Sequence, residues 1–112
     1  RALASSSAEQ LQISALFAVA KFLRLSTALE VIRGHTRMLV DVFLRFAVYK
    51  PRKAVRIIAL QSLQALTRLP YDGIHPFRTK VARSLATILG DPKRVVRRAA
   101  LRCRNEWAVV DM

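Results

Sequence analysis

The amino-acid sequence repeats itself after 41 residues, and this repeat constrains the fold more than any other feature. Of the 24 positions from 37 to 60, eight carry the same residue as the position 41 further on, where composition alone would give roughly two. A unit of this length cannot bury its apolar side chains alone, so consecutive units are expected to stack. The identical pairs are Arg37 and Arg78, Val40 and Val81, Leu44 and Leu85, Pro51 and Pro92, Val55 and Val96, Arg56 and Arg97, Ala59 and Ala100, and Leu60 and Leu101.

Apolar residues recur at helical steps of three and four in five stretches, which predict helices at 8–25, 38–48, 52–68, 77–89 and 93–110. Turn residues predict a break at 26–35 and a loop at 69–76. Pro51 is expected in the first turn of the third helix, where its missing N–H costs nothing. The first helix should be capped by Ser5, Ser6 and Ser7. Its predicted buried face is Leu11, Ala15, Ala18, Val19, Phe22 and Leu23.

The third predicted helix is apolar around nearly its whole circumference. A helix of this kind packs against neighbours on more than one side, so we expect it in the interior of the stack. The side chains that cover its circumference are Ile57, Ile58, Ala59, Leu60, Leu63 and Leu66.

Two-helix units of about 40 residues, with a second helix that begins Pro-x-x-x-Val-Arg-x-x-Ala, resemble the HEAT repeat. We therefore predict an all-α HEAT-repeat α-solenoid of about two and a half antiparallel helix pairs with a C-terminal capping helix. It forms a single domain, 1–112, with a half repeat at 8–25 and repeats at 36–68 and 77–110. The chain begins at Arg1 without an initiator Met, which suggests a piece of a larger protein.

The last predicted helix divides into an apolar face and a basic face. The apolar face is expected in the core, and Trp107 is expected to close the end of that core. The apolar face consists of Val95, Val96, Ala99, Ala100, Cys103 and Trp107, and the basic face consists of Lys93, Arg94, Arg97, Arg98, Arg102 and Arg104, interrupted by Leu101. A polar outer face is what a terminal repeat requires, so one interpretation is a solvated cap. The other interpretation is a surface for a partner, because like charges four residues apart, as in Arg94 and Arg98, do not stabilise a helix.

The formal net charge is +13, of which residues 49–112 contribute +10 (fourteen basic and four acidic side chains). This charge makes direct binding of nucleic acid the alternative function, although exposed aromatic residues and a groove-reading motif are missing from the sequence. The longest uncharged stretches have 11 residues, too few for the roughly 20 that span a bilayer.

Catalysis and metal binding are disfavoured by the types and spacing of the polar residues. His35 and His75 lie in predicted loops without a second ligand at metal spacing, and Cys103 is a predicted core residue. The sequence has no phosphate-binding loop, and its seven acidic residues provide few candidates for general acid–base catalysis. We therefore expect neither an enzyme nor a bound cofactor.

Arg56 and Arg97 occupy the same position in two repeats. In HEAT proteins this arginine commonly pairs with an acidic residue in the turn between the helices, and Asp91 can serve Arg97 in this way. The equivalent of Asp91 in the preceding repeat is Lys50, which leaves Arg56 without an obvious local partner. Arg56 is therefore expected to reach outward.

Several segments of the chain resemble one HEAT-repeat family, the Mms nineteen proteins, named for methyl methanesulfonate sensitivity. These segments are 54–61, 65–70, 76–81, 91–97 and 104–107, and they include Leu-Thr-Arg-Leu-Pro and Lys-Arg-x-Val-Arg-x-x-Ala. The likeness is dense over 54–107 and thinner over 1–50, and Gly90 stands where the family would have a second acidic residue beside Asp91. It is specific to the C-terminal end of that family.

The resemblance implies an adaptor of the cytosolic iron–sulfur protein assembly targeting complex, found in cytoplasm and nucleus. Its partners would be a WD-repeat propeller subunit, a small cluster-transfer subunit and, through the complex, iron–sulfur apo-proteins of DNA repair and replication. The C-terminal repeats would dock the other subunits, without holding the cluster themselves. We predict that the docking residues are basic residues at helix ends, namely Lys53, Arg56, Lys93, Arg94, Arg97 and Arg98.

Overall fold

Helices account for nearly all of the chain in the computed structural model, which describes residues 2–22, 33–69 and 71–111. Within these ranges there is no β-strand, as the all-α prediction requires. The long helices are α1 (Ala2–Phe22), α2 (Thr36–Phe46), α3 (Lys53–Ala65), α4 (Arg78–Ile88) and α5 (Arg94–Ala108).

Single helical turns connect or extend the long helices. Turns of 3-10 helix lie at Arg33–His35, Leu66–Arg68, His75–Phe77 and Val109–Asp111, and a one-turn α-helix lies at Tyr71–Ile74. The prediction of an irregular loop at 69–76 was therefore wrong in part. Ile74 is fully buried in the core, so its burial favours a defined turn over an open loop despite the neighbouring glycine.

The long helices form two layers. In one layer, α3 packs between α1 and α5, and in the other layer, α2 packs against α4. The layers contact each other within each helix pair, α2 with α3 and α4 with α5. α3 thus contacts α1, α2 and α5, which confirms that its apolar circumference places it in the interior of the stack. This is the arrangement of an α-solenoid.

Helix α1 differs from its prediction in both its start and its buried face. It begins at Ala2, so the three serines lie inside the helix and do not cap it. Ile13 and Leu16 are buried, whereas Leu11 is 73% exposed. Buried or half-buried residues on one side of the helix include Ile13, Leu16, Phe17 and Ala20. Because this segment has apolar residues on several sides, their spacing fits more than one buried face and does not identify the correct one. The predicted end of this helix and most of the predicted break, at 23–32, lie outside the described residues.

The start of α3 also differs by a few residues. The N-cap is Arg52, which has an extended backbone, and α3 begins at Lys53. Pro51 therefore precedes the helix and is not in its first turn. The predicted repeat boundaries at 36–68 and 77–110 stay predictions, although α2 with α3 and α4 with α5 fall within them.

Trp107 joins the end of the last helix to the interior helix. Its side chain is 1% exposed, and its indole Nε1–H donates a hydrogen bond to the backbone carbonyl of Leu63, at 2.9 Å. That carbonyl lies in the last turn of α3, where it also accepts a hydrogen bond from the backbone N–H of Leu66. The predicted role of Trp107 as a core residue is confirmed. Val95 is 45% exposed, so its predicted burial was wrong, and Val96 fills the core instead.

The layer of α2 and α4 is joined by surface contacts. The Lys80 ammonium forms an ion pair with the Asp41 carboxylate, and both side chains are more than half exposed. The Arg37 guanidinium lies 5.7 Å from the ring centroid of Phe77, within the range of a cation–π contact. Because exposed ion pairs contribute little, the pair of Lys80 and Asp41 adds little to the stacking of the two repeats.

We expect Trp107→Phe to lower the free energy of unfolding by about 1–3 kcal/mol, because it removes the indole donor and part of the buried ring. Urea denaturation followed by circular dichroism measures this change. Val95→Ala is the matched control on the same helix and should change stability by less than about 0.5 kcal/mol. Equal effects of the two substitutions would contradict the role assigned to Trp107.

Candidate docking site

The six predicted docking residues lie at the N-terminal ends of α3 and α5. Lys53 is the first residue of α3, and Lys93 is the N-cap of α5. Five of the six side chains are exposed, namely Lys53, Lys93, Arg94, Arg97 and Arg98. The two helix ends lie at the same edge of the stack, because a contact from Arg56 in α3 reaches the turn in front of α5. The structure therefore brings these five cations to one edge.

Arg56, the sixth predicted residue, does not reach outward. It is 6% exposed, and its Nη1 donates hydrogen bonds to the carbonyls of Tyr49 and Lys50, both at 3.0 Å. Its Nε lies 2.8 Å from Asp91 Oδ2, and its Nη2 donates to Asp91 Oδ1 at 3.2 Å. The expectation that Arg56 reaches outward was wrong. Its acidic partner lies in the following repeat, whereas the expectation rested only on residues within the repeat that contains Arg56.

Asp91 is the link between the two repeats. Besides the contacts with Arg56, its Oδ1 accepts a hydrogen bond from the backbone N–H of Lys93 at 2.8 Å, which shapes the turn before α5. Its side chain is 11% exposed and that of Arg56 7%. A guanidinium that meets both oxygens of a carboxylate fixes the orientation of its partner as well as its distance.

Arg97 makes a different contact from the predicted one. Its Nη1 donates to the backbone carbonyls of Asp91, at 2.8 Å, and Pro92, at 3.2 Å. The Asp91 carboxylate pairs with Arg56, so the predicted side-chain pair between Arg97 and Asp91 was wrong. Each repeated arginine therefore binds two carbonyls of its own turn, but of the two only Arg56 has a carboxylate partner in the described part of the chain.

The first turns of α3 and α5 contain basic residues and no acidic ones. Partial positive charge accumulates at the N-terminus of a helix, so acidic side chains there are stabilising and basic ones are not. The exposed cations at these two ends consequently do not stabilise the helices that carry them.

Sequence reasoning missed a second surface feature, a groove between α3 and α5. It is lined by Gln61, Gln64, Ala65, Thr67, Arg68, Ala99, Arg102 and Glu106. The 41-residue shift pairs Gln61 with Arg102, which are both polar, but it pairs the apolar Ala65 with Glu106, so polar character recurs at only one of these two positions. That recurrence was the available signal, but it is too weak without knowing that the two helices are neighbours.

The environment of Cys103 bears on its reactivity. Cys103 is fully buried, and burial, with a smaller contribution from the negative charge of Glu106, raises the pKa of its thiol from 9.0 to about 12. A thiol with so high a pKa is a poor nucleophile and a poor metal ligand.

Across residues 2–22, 33–69 and 71–111, no three His, Cys, Asp or Glu side chains lie close enough to share a metal ion. None of the described helices is long and apolar enough to cross a membrane.

Known proteins resemble this chain over most of its length. The human protein named MMS19 nucleotide excision repair protein homolog is 45% identical over 78 residues, which are 70% of the chain. The chain belongs to the MMS19 family. The MMS19 proteins of Drosophila melanogaster and Arabidopsis thaliana are 39% identical over 80 residues and 36% identical over 76 residues. No family model matches the chain.

The chain spans only a small part of its MMS19 relatives. The matched regions are 8% of the human protein, 8% of the Drosophila protein and 7% of the Arabidopsis protein. The names of these relatives designate nucleotide excision repair proteins and state no enzymatic activity.

We expect Arg56→Ala to destabilise the chain by about 3–5 kcal/mol, because it leaves the nearly buried Asp91 carboxylate without its partner. Thermal unfolding followed by circular dichroism measures the loss. Arg98→Ala removes an exposed arginine of α5 and should cost less than about 0.5 kcal/mol. If Arg56→Ala were as mild as this control, the pair would not join the repeats as described.

We expect the Cys103 thiol to react with a disulfide reagent at pH 8 only when the chain unfolds, because it is buried and un-ionised in the folded state. The absorbance of the released thiolate should rise slowly in buffer and at once in concentrated urea. Rapid reaction in buffer at a temperature where circular dichroism shows a folded chain would contradict the burial of Cys103.

Proposed function

We propose that this chain is a protein-docking module, and not an enzyme, within an adaptor that directs iron–sulfur clusters to apo-proteins of DNA repair and replication. The module binds the small cluster-transfer subunit of the assembly complex through the basic edge formed by Lys53, Lys93, Arg94, Arg97 and Arg98. In this proposal the clusters are cargo of the complex and are not held by the chain.

The observation that carries the proposal is the concentration of exposed cations in the first turns of α3 and α5. These charges repel one another and also oppose the helix dipoles, so folding alone gives no reason for them. An acidic surface on a partner would supply the missing compensation and would speed association. Solubility alone would be served by cations placed anywhere on the surface.

The cellular role in the proposal rests on the family. The MMS19 relatives are named as nucleotide excision repair proteins, and we extend a DNA-repair role to this chain. The iron–sulfur assembly complex, its WD-repeat propeller subunit and a location in cytoplasm and nucleus come from the resemblance to the family's C-terminal repeats.

The proposal predicts that reversing two charges on α5, with Arg94→Glu and Arg98→Glu, weakens co-purification of the chain with the small cluster-transfer subunit by at least about tenfold. Both side chains are exposed, so circular dichroism should show an unchanged fold. Arg83→Glu, an exposed charge reversal on α4 away from this edge, is the control and should leave binding unchanged. Equal retention of the subunit by both variants would overturn the assignment of the edge.

Direct binding of nucleic acid is the competing function for the same cations. We expect a fluorescence titration with labelled single- and double-stranded DNA to show no saturable binding at about 100 mM salt, because a short row of arginines without stacking aromatics binds phosphates only weakly. Tight binding that falls steeply with salt and is lost in the Arg94→Glu and Arg98→Glu variant would replace docking with nucleic-acid binding as the function of the edge.

A further inference from the structure

We propose that Arg97 is a receptor for one acidic side chain of a partner protein, and that it binds this carboxylate in the way Arg56 binds Asp91. This inference rests on the proposed docking function and sharpens it from a diffuse basic edge to a single position with a defined geometry. The contacts of Arg56 serve as the template for those of Arg97, and the residues on the outer face of α5 indicate which kind of partner fits.

The Arg56 guanidinium, which serves as the template, makes two sets of contacts with different nitrogens. Its Nη1 is held by the carbonyls of Tyr49 and Lys50 in the turn of its own repeat. Its other edge, formed by Nε and Nη2, faces the two oxygens of Asp91 in the turn of the following repeat. The first set of contacts holds the guanidinium in place, and the second set receives a carboxylate from the next unit along the stack.

Arg97 has the first set of contacts and lacks the second. Its Nη1 is held by the carbonyls of Asp91 and Pro92, so its guanidinium is anchored on its own turn as that of Arg56 is. Its side chain is exposed, and no acidic side chain in the described part of the chain contacts it. An anchored guanidinium has already lost much of its rotamer freedom, so binding a carboxylate costs less entropy than it would at a free arginine.

The surroundings of Arg97 favour an acidic protein segment over another apolar helix. Ile57 is half-buried and Leu63 fully buried in α3, but the 41-residue shift places the exposed Arg98 and Arg104 at these positions in α5. A further apolar repeat on this face would bury both charges without partners, which is costly. A partner segment that carries carboxylates would pair with them.

A groove on the outer surface of α5 defines the kind of segment that fits. It is lined by Leu89, Arg94, Arg97, Arg98 and Leu101, and Leu101 is 43% exposed. The groove therefore combines three cations with two leucines. It fits a segment in which an Asp or Glu lies next to an apolar side chain, so that the carboxylate meets Arg97 while the apolar residue covers Leu101.

Arginine side-chain NMR spectra of the chain, recorded with and without the small cluster-transfer subunit, test the proposal. The Nη2–H resonance of Arg56, which donates to Asp91 Oδ1, should be shifted downfield in the free chain, and it serves as an internal reference. On addition of the subunit, the Arg97 Nη2–H resonance should move toward that of Arg56, while the Arg56 resonance stays in place. Loss of one resonance in the Arg97→Lys variant assigns it.

Calorimetric titration of the two conservative variants gives the second readout. Arg97→Lys keeps the charge but loses the fork that meets both oxygens, so affinity for the subunit should fall about tenfold. Arg83→Lys makes the same change at an exposed arginine of α4, outside the basic edge, and should weaken binding less than about twofold. Unfolding curves of both variants verify that the fold is kept.

The outcomes separate this inference from the function on which it rests. If the subunit binds but the Arg97 resonance does not move and both lysine variants bind alike, the receptor role of Arg97 is wrong and the docking function stands. If the unmodified chain does not bind the subunit, both are wrong. If binding shifts the Arg94 or Arg98 resonance in place of Arg97, the edge docks its partner without the geometry inferred from Arg56.

Discussion

Helix α3 needs neighbours on three sides, and the architecture follows from that requirement. Val55, Ala59, Leu60 and Leu63 are fully buried in this one helix, although it is only 13 residues long. A helix with so little polar surface cannot be stable as one half of an isolated pair, so α1 and α5 must pack on the sides that α2 leaves open. The chain is thus held together by nearest-neighbour contacts along a row of helices, and the polar contacts between Arg56 and Asp91 set the relative position of two members of that row.

The two repeated arginines show how one sequence position can serve two purposes. Both bind carbonyls in their own turn, which is a local structural role that the repeat itself provides. Arg56 lies inside the stack and its remaining edge is used for cohesion between repeats. Arg97 lies at the open face, where the same edge meets solvent. A repeat protein can in this way obtain a recognition element without new sequence, because exposure alone changes what the residue contacts.

The sequence predicted the architecture well because its information is periodic. The 41-residue shift and the apolar circumference of α3 predicted stacking, and Trp107 was correctly expected in the core. The errors arose where a local pattern had several solutions or where the partner was distant in sequence. The apolar residues of α1 allow more than one buried face, and Arg56 pairs with a residue 35 positions away, in another repeat. The five exposed cations were predicted from their charge and their positions at helix ends, but their convergence at one edge depends on the packing of α3 against α5.

The hydrogen bond from Trp107 to the carbonyl of Leu63 has a consequence for how the chain comes apart. Proteins built from stacked units are prone to fray from their ends, one unit at a time. Here the last turn of α5 is hydrogen-bonded to the last turn of α3, 44 residues earlier. Asp91, just before α5, forms an ion pair with Arg56 in the first turn of α3. α5 therefore contacts α3 at both of its ends, and its separation from α3 must break the hydrogen bond and the ion pair and expose the apolar side of α3. The two helix pairs should consequently open as a single cooperative unit, which keeps the basic edge in place for as long as the chain is folded.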